Sequence, residues 1–245
     1  MTSRILLVIA GCSDIGKQII YHIGNKYDKI IVHYFRNKVE WDELKWKDKI
    51  IFYQADLRNL NEVYDMVEYI CKIGVMPTDI IHLAAGKYEM RHYTDFLLEK
   101  FEEELQIELK SLIIITQAFI PHMKINKFGR ILIMLSECVG DNSSQFISYY
   151  LIAKFALLGL IKALDSEYAK WGINVNGLSP SMIENKFWEN IPQIYVEHIK
   201  ESLYHGKTVE IQQVVKKVED ILFAEKNQLH GRNVFINYYE KENRD

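Results

Sequence analysis

Seven short apolar runs, separated for the most part by stretches of helical periodicity, leave this chain few possible folds. The runs are Ile5 to Ala10, Lys29 to Tyr34, Lys49 to Tyr53, Asp79 to Ala84, Arg130 to Ser136, Asn174 to Leu178 and Asn233 to Asn237. Apolar residues recur at helical spacing over Ile15 to Asn25, Asn59 to Ile73, Asp95 to Lys124, Phe146 to Lys170 and Val209 to Glu225. Strands that are apolar along their whole length need cover on both faces, and helical crossovers between them make neighbouring strands parallel. The expected fold is therefore α/β, a doubly wound parallel sheet of about seven strands flanked by helices on both faces. No repeat, low-complexity segment or Pro/Gly/Ser-rich linker interrupts the pattern, and there are only four prolines, so residues 1–245 read as a single domain.

Composition narrows the function classes. Nearly half the residues are hydrophobic and the formal net charge is only −3, which argues against disorder and against a nucleic-acid partner held by charge. Small, near-neutral partners fit better. Cys12, Cys71 and Cys138 lie far apart without C-x-x-C spacing, so neither a metal site nor a disulfide framework is expected, and a reducing cytoplasm is the expected location. The opening apolar run is short and is followed by Asp14, so it reads as a buried strand rather than a signal peptide. No apolar run approaches the roughly 20 residues that span a bilayer, and no membrane partner is expected.

Chemistry concentrates around Tyr150 and Lys154. Four residues apart on a helix, they share one face, and a phenol beside an ammonium is a poised proton donor. Tyr34 and Lys38 repeat the spacing, but they follow a strand and enter a turn, where the two side chains are out of register. The first strand runs into Gly11-Cys12-Ser13-Asp14-Ile15-Gly16 and a helix start, which suits either a dinucleotide pyrophosphate or an ordinary strand-to-helix turn. A three-glycine loop would want glycine at Ala10 and Asp14; Asp tolerates a left-handed backbone and caps helices. After the second strand, Arg36, Asn37 and Lys38 are basic or polar where a ribose 2′-phosphate would sit, unless they form a solvated turn. The third and fourth strands deliver Asp56-Leu57 and Ala84-Ala85-Gly86 to the carboxyl edge, small enough to admit a flat cofactor. Ser136 ends the fifth strand, where its hydroxyl could face the phenol across a substrate carbonyl.

With Gly11 to Gly16, Asp56, Ala85-Gly86, Thr116-Gln117-Ala118, Gly129-Arg130-Ile131, Ser136, Tyr150-x-x-x-Lys154 and Val175-Asn176 before Pro180 all in order, the chain resembles the short-chain dehydrogenase/reductase family. It looks most like the NADPH-dependent 3-oxoacyl-carrier-protein reductases. The resemblance covers nearly the whole chain and implies a Rossmann-like fold. It implies that Tyr150 gives a proton to a carbonyl oxygen that Ser136 also contacts, and that Lys154 binds the nicotinamide ribose and lowers the Tyr150 pKa. Gly11, Ser13, Asp14, Ile15, Gly16, Arg36, Asn37, Asp56, Leu57, Ala84, Ala85, Gly86, Pro180 and Ile183 would hold NADP, together with Tyr150 and Lys154. Residues 181–207 resemble a substrate lid, in which Asn185 stands for the usual threonine.

The same resemblance implies a homodimer or homotetramer built on the helices at Asp95 to Lys124 and Phe146 to Lys170. It also implies a small-molecule or acyl-thioester substrate, with acyl carrier protein as a possible partner met by Lys124, Lys127 and Arg130. An apolar or acyl-like substrate fits Phe146, Met182, Ile183, Phe187, Trp188 and Ile191. There are departures. Glu108 stands where the family usually has an Asn whose backbone carbonyl holds a water linking the lysine to solvent, and its carboxylate is able to stabilise the charge of Lys154. Leu83-Ala84 replaces Asn-Asn, Ser181 replaces Gly, and Tyr238-Tyr239-Glu240 replaces the glycines near the last strand. A ketoreductase for a polyketide, sugar or free alcohol stays open, as does a non-catalytic nucleotide-binding subunit or sensor.

Overall fold

A computed structural model describes residues 3–41, 43–87, 89–140, 145–183, 193–202, 208–225 and 228–236. The strands are β1 (Ile5–Ile9), β2 (Lys29–Tyr34), β3 (Ile50–Gln54), β4 (Asp79–His82), β5 (Gly129–Met134), β6 (Ile173–Pro180) and β7 (Asn233–Ile236). All pair in parallel, in the order β3-β2-β1-β4-β5-β6-β7. The chain thus winds outward from β1 to β3, returns beside β1 with β4, and continues to the opposite edge. Folds wound in this way take ligands at that reversal, in the crevice beyond the carboxyl ends of the strands, here those of β1 and β4.

The helices are α1 (Asp14–Ile23), α2 (Leu60–Lys72), α3 (Leu98–Leu105), α4 (Ser111–Asn126), α5 (Ser148–Tyr168), α6 (Gln193–Ser202) and α7 (Ile211–Leu222). Ile19, Ile20 and Ile23 of α1 join Val214, Val215 and Val218 of α7 in the core on one sheet face. Val63 and Met66 of α2, Leu112 and Phe119 of α4, and Leu157 and Ile161 of α5 form the core on the other. Alternate residues of one strand feed the two cores: Leu6 and Val8 one, Leu7 and Ile9 the other. Doubly wound strands must do this. Among the described residues, no helix is long and apolar enough to cross a membrane.

Two differences from the sequence expectation matter for the site. The single helix expected from Asp95 to Lys124 is three pieces: Asp95 closes a short 3₁₀ turn, and α3 and α4 are joined by a π-helical segment, Gln106–Lys110. Its signature is the Ser111 N–H donating to the Gln106 carbonyl five residues back. Inside the expected lid, α6 is a second helix that the periodicity did not announce; residues 184–192 and 203–207, and with them Asn185, Phe187, Trp188 and Ile191, lie outside the described residues, as do Asn237 and Tyr238-Tyr239-Glu240.

Candidate active site

The turn after β1 is built by local hydrogen bonding. Ser13 caps α1, its Oγ accepting from the Gly16 N–H at 3.1 Å, which leaves Asp14 as the first helical residue, ion-paired with Lys17 at 3.0 Å. Of the two positions where a three-glycine loop would want glycine, the left-handed backbone falls on Ala10, with φ 58°, while Asp14 is helical. Gly16 is required by close approach, since a Cβ there would stand 2.6 Å from the Gly11 carbonyl oxygen. His33 of β2 pins the turn from beneath. Its Nδ1 accepts from the Ala10 N–H at 3.1 Å, which makes Nε2 the protonated nitrogen that donates to the Ala55 carbonyl at 3.0 Å. Burial lowers its pKa to about 4, so the ring is neutral near pH 7.

The next strand ends are partly committed. Arg36 lies over the Phe35 ring at 4.7 Å, and Arg58 approaches the same ring at 5.3 Å. The Asp56 carboxylate accepts both Nε and Nη2 of Arg58, with a shortest contact of 2.6 Å, and Arg58 hydrogen bonding is the main reason its pKa is lowered. Asn37 is exposed in the bend after β2. Leu57 and Ala84 are buried in the core, so they offer backbone rather than side chain to the crevice. Ala85 and Gly86 follow β4 at its open end. Pro180 ends β6, and Ile183 is buried and bridges in parallel to Val209.

Ser136, Tyr150 and Lys154 come together as their spacing predicts. Ser136 follows β5 and caps a short 3₁₀ turn, and its hydroxyl is hydrogen-bonded to that of Tyr150. Tyr150 and Lys154 occupy the first turns of α5, with the ammonium 5.3 Å from the phenol ring centroid. Lys154 is 2% exposed; Nζ donates to the Met134 carbonyl at 3.2 Å and lies 2.9 Å from Glu108 Oε2, a carboxylate that is 0% exposed. The net direction at Tyr150 is opposite to the one expected. Burial, Cys138, Glu108 and Glu104 push the phenol well above its ordinary value, and Ser136 only partly offsets them. The lysine's charge is balanced by Glu108 instead. The ion pair has the form expected of a carboxylate at position 108 able to stabilise the charge of Lys154.

Sequence reading missed four residues here. Glu104 stands four before Glu108, has its pKa pushed up to about 8 by burial and then by that neighbour, and packs its carboxyl against Gly86; the shared helical face was the available signal. Arg58, two residues past Asp56, was legible only as a nearby base. His33 and His82 sit within apolar runs, where a histidine is expected to be buried and neutral; desolvation lowers His82 to about 3. Arg130, expected in a basic surface patch, is buried against the Gly129 carbonyl, and Lys124 lies over Trp171 at 4.8 Å.

Three comparisons bear on this arrangement. The sequence profile of the family described as short chain dehydrogenase matches residues 4–195. The oxidoreductase YmfI of Bacillus subtilis (strain 168) is 24% identical over 241 residues, 96% of this chain and 98% of its own. The 3-oxoacyl-[acyl-carrier-protein] reductase FabG of Rickettsia bellii is 25% identical over 191 residues, 78% of this chain and 77% of its own. Among solved structures, ElxO with NADP bound superposes with a TM-score of 0.79 at 18% identity, covering 96% of this chain and 97% of that one.

Proposed function

We propose, from the premise that this chain belongs to the short chain dehydrogenase family, that it transfers hydride from NADPH to a carbonyl carbon and releases an alcohol. The observation that carries the reading is the Tyr150 hydroxyl held by Ser136 with Lys154 on the same helical face. Hydride arriving at the carbonyl carbon leaves negative charge on its oxygen, and preorganised donors aimed at that oxygen stabilise it most. Ser136 donates a hydrogen bond there, Tyr150 gives the proton, and Lys154 binds the nicotinamide ribose. NADP fits the turn after β1, whose helix start presents amide N–H groups and whose Gly16 leaves room for close approach.

The cofactor choice rests on Arg36 and Arg58 gathered at Phe35, beyond β2 and β3. The NADP held by ElxO supports it. Titration of the purified protein with NADPH and NADH, followed by nicotinamide fluorescence, is expected to show NADPH binding tighter by roughly ten- to a hundred-fold, the value of a charge-assisted hydrogen bond or two. Arg36→Glu should erase that preference. Equal affinity for both nucleotides in the unaltered protein would remove Arg36 from the role.

The substrate we infer is a 3-oxoacyl thioester or a similar apolar ketone, supported by buried Met182 and Ile183 after β6. Burial of Arg130 leaves only Lys124 and Lys127 of the proposed carrier-protein patch, which favours a free thioester or small ketone. Homo-oligomerisation through α4 and α5 is supported by exposed Ile125, Ile152 and Phe155. Light scattering after size exclusion should give a dimer or tetramer mass, and a monomer mass would reject it. A second reading, a nucleotide-binding subunit without turnover, is favoured by the ion pair that occupies Lys154. NADPH consumption measured beside the titration separates the two.

A further inference from the structure

Two buried carboxyl groups face one buried ammonium behind the candidate site. Glu104 is 7% exposed, Glu108 is 0% and Lys154 is 2%. Lys154 Nζ sits 2.9 Å from Glu108 Oε2, and burial, followed by the neighbouring Glu108, pushes the Glu104 carboxyl up. Two buried carboxylates beside a single ammonium would leave one negative charge uncompensated. A proton kept on Glu104 leaves one negative charge opposite one positive charge in a site with little water to screen either.

The same carboxyl group of Glu104 also reaches the turn after β4. Its carboxyl accepts from the Gly86 N–H and lies so close to that residue that a Cβ on Gly86 would stand 1.6 Å from Oε2. One side chain thus touches both the turn after β4 and the carboxyl group that holds Lys154. The ionisable groups around the pair are Lys154 and Tyr150 of α5, Cys138 after β5 and, within the electrostatic reach of Lys154, His82 of β4. Burial keeps Tyr150, Cys138 and His82 neutral near pH 7, so the charge state of this pocket is decided by the two glutamates and Lys154.

We propose that Glu104 is a positioning residue, and that the single proton it shares with Glu108 holds Lys154 and the Gly86 turn in the arrangement that reduction requires. This rests on the reductase reading above. Loss of the proton places a second negative charge beside the first and sets the two carboxylates against each other, so that the charged Glu104 is held by the Gly86 N–H while Glu108 and the Lys154 it pairs with are displaced. Burial, followed by the neighbouring Glu108, raises the Glu104 pKa to about 8, so the loss falls within the working range of an enzyme.

The sign of the stability effect follows. The unfolded carboxyl gives up its proton near its ordinary 4.5, whereas the folded one keeps it to about 8. Between those values the folded state binds the extra proton, so stability falls as pH rises and levels off above about 8. His33 and His82 work in the opposite direction only below their ordinary 6.5, which leaves pH 6.5 to 8 to Glu104.

Thermal unfolding of the full chain, Glu104→Gln and Glu108→Gln should be followed from pH 6 to 9.5. The unaltered chain is expected to lose stability between about pH 6.5 and 8. Glu104→Gln, whose amide still donates to Glu108, should be flat there, and Glu108→Gln should move the slope to lower pH. An unchanged slope in both variants overturns the shared proton. If Glu104→Gln does not fold, the Glu108→Gln series decides alone. In parallel, kcat/KM with NADPH and a ketone, each profile normalised to its own plateau, should fall about tenfold per pH unit above about 8 in the unaltered chain. Glu104→Gln should move that limb up by more than about one unit; a limb that stays in place overturns the positioning role. Absence of NADPH consumption with every carbonyl tried would fell the reductase reading, while the unfolding series would still test the proton.

Discussion

Tyr150→Phe is expected to lower NADPH-driven carbonyl reduction by roughly 10²–10⁴-fold, the share usual for a positioned general acid. NADPH affinity should change little, because the variant removes one oxygen that faces the substrate and leaves Lys154 in place. Burial raises the phenol well above its ordinary pKa, so Tyr150 keeps its proton through the range in which Glu104 loses its own. Its own ionisation cannot then set an alkaline limit near pH 8, which separates this prediction from the one made for Glu104. Ser136 remains as a donor in Tyr150→Phe and sustains residual turnover. Steady-state NADPH consumption measured beside fluorescence titration checks both halves of the prediction. Full activity in the variant would end the assignment of Tyr150.

Lys154→Met should be the most damaging substitution for stability. Lys154 and Glu108 are both fully buried and 2.9 Å apart, so removing the ammonium strands a carboxylate in an apolar surround. Breaking one side of such a pair typically costs about 3–5 kcal/mol, against a total stability of about 5–15 kcal/mol for a domain. Urea unfolding should register that loss. Adding Glu108→Gln to Lys154→Met should recover more than about 1 kcal/mol, because the stranded charge is gone. Turnover should not return with it, since the ribose contact proposed for Lys154 stays absent. Stability and activity recovered together would mean that Lys154 acts only as a counter-ion.

The parts of the fold set by apolar periodicity could be read in advance. The strands were located to within a few residues, and the register of Tyr150 and Lys154 followed from a long helix that the structure contains. What could not be read depends on side-chain geometry and on pairings between distant segments. Asp56 is engaged by Arg58 through side-chain geometry that spacing leaves open, and Arg130 is buried because β5 lies inside the sheet. Ala10 adopts φ 58° because neighbouring contacts, His33 among them, determine the turn, which overrides the preference of an alanine. Glu104 was passed over because a glutamate on a charged helix ordinarily faces water. Here Glu104 is buried, and the helix changes pitch two residues after it, at Gln106.

That change of pitch has a consequence for how the chain tolerates insertion and deletion. α4 is locked by Leu112, Ile115, Phe119 and Met123 in the core, whereas the α3 side is set where Phe101 meets Tyr149 and Phe96. A single uninterrupted helix has only one rotational phase to offer, and the π-helical segment Gln106–Lys110 lets the two ends keep different ones. Each residue of an α-helix advances the angle by about 100°. A chain shortened by one residue in this segment would have to satisfy either the sheet-facing side of α4 or the crevice-facing side of Glu104. The count of residues between two anchors, rather than their identity, is then what keeps a carboxyl group aimed at Lys154.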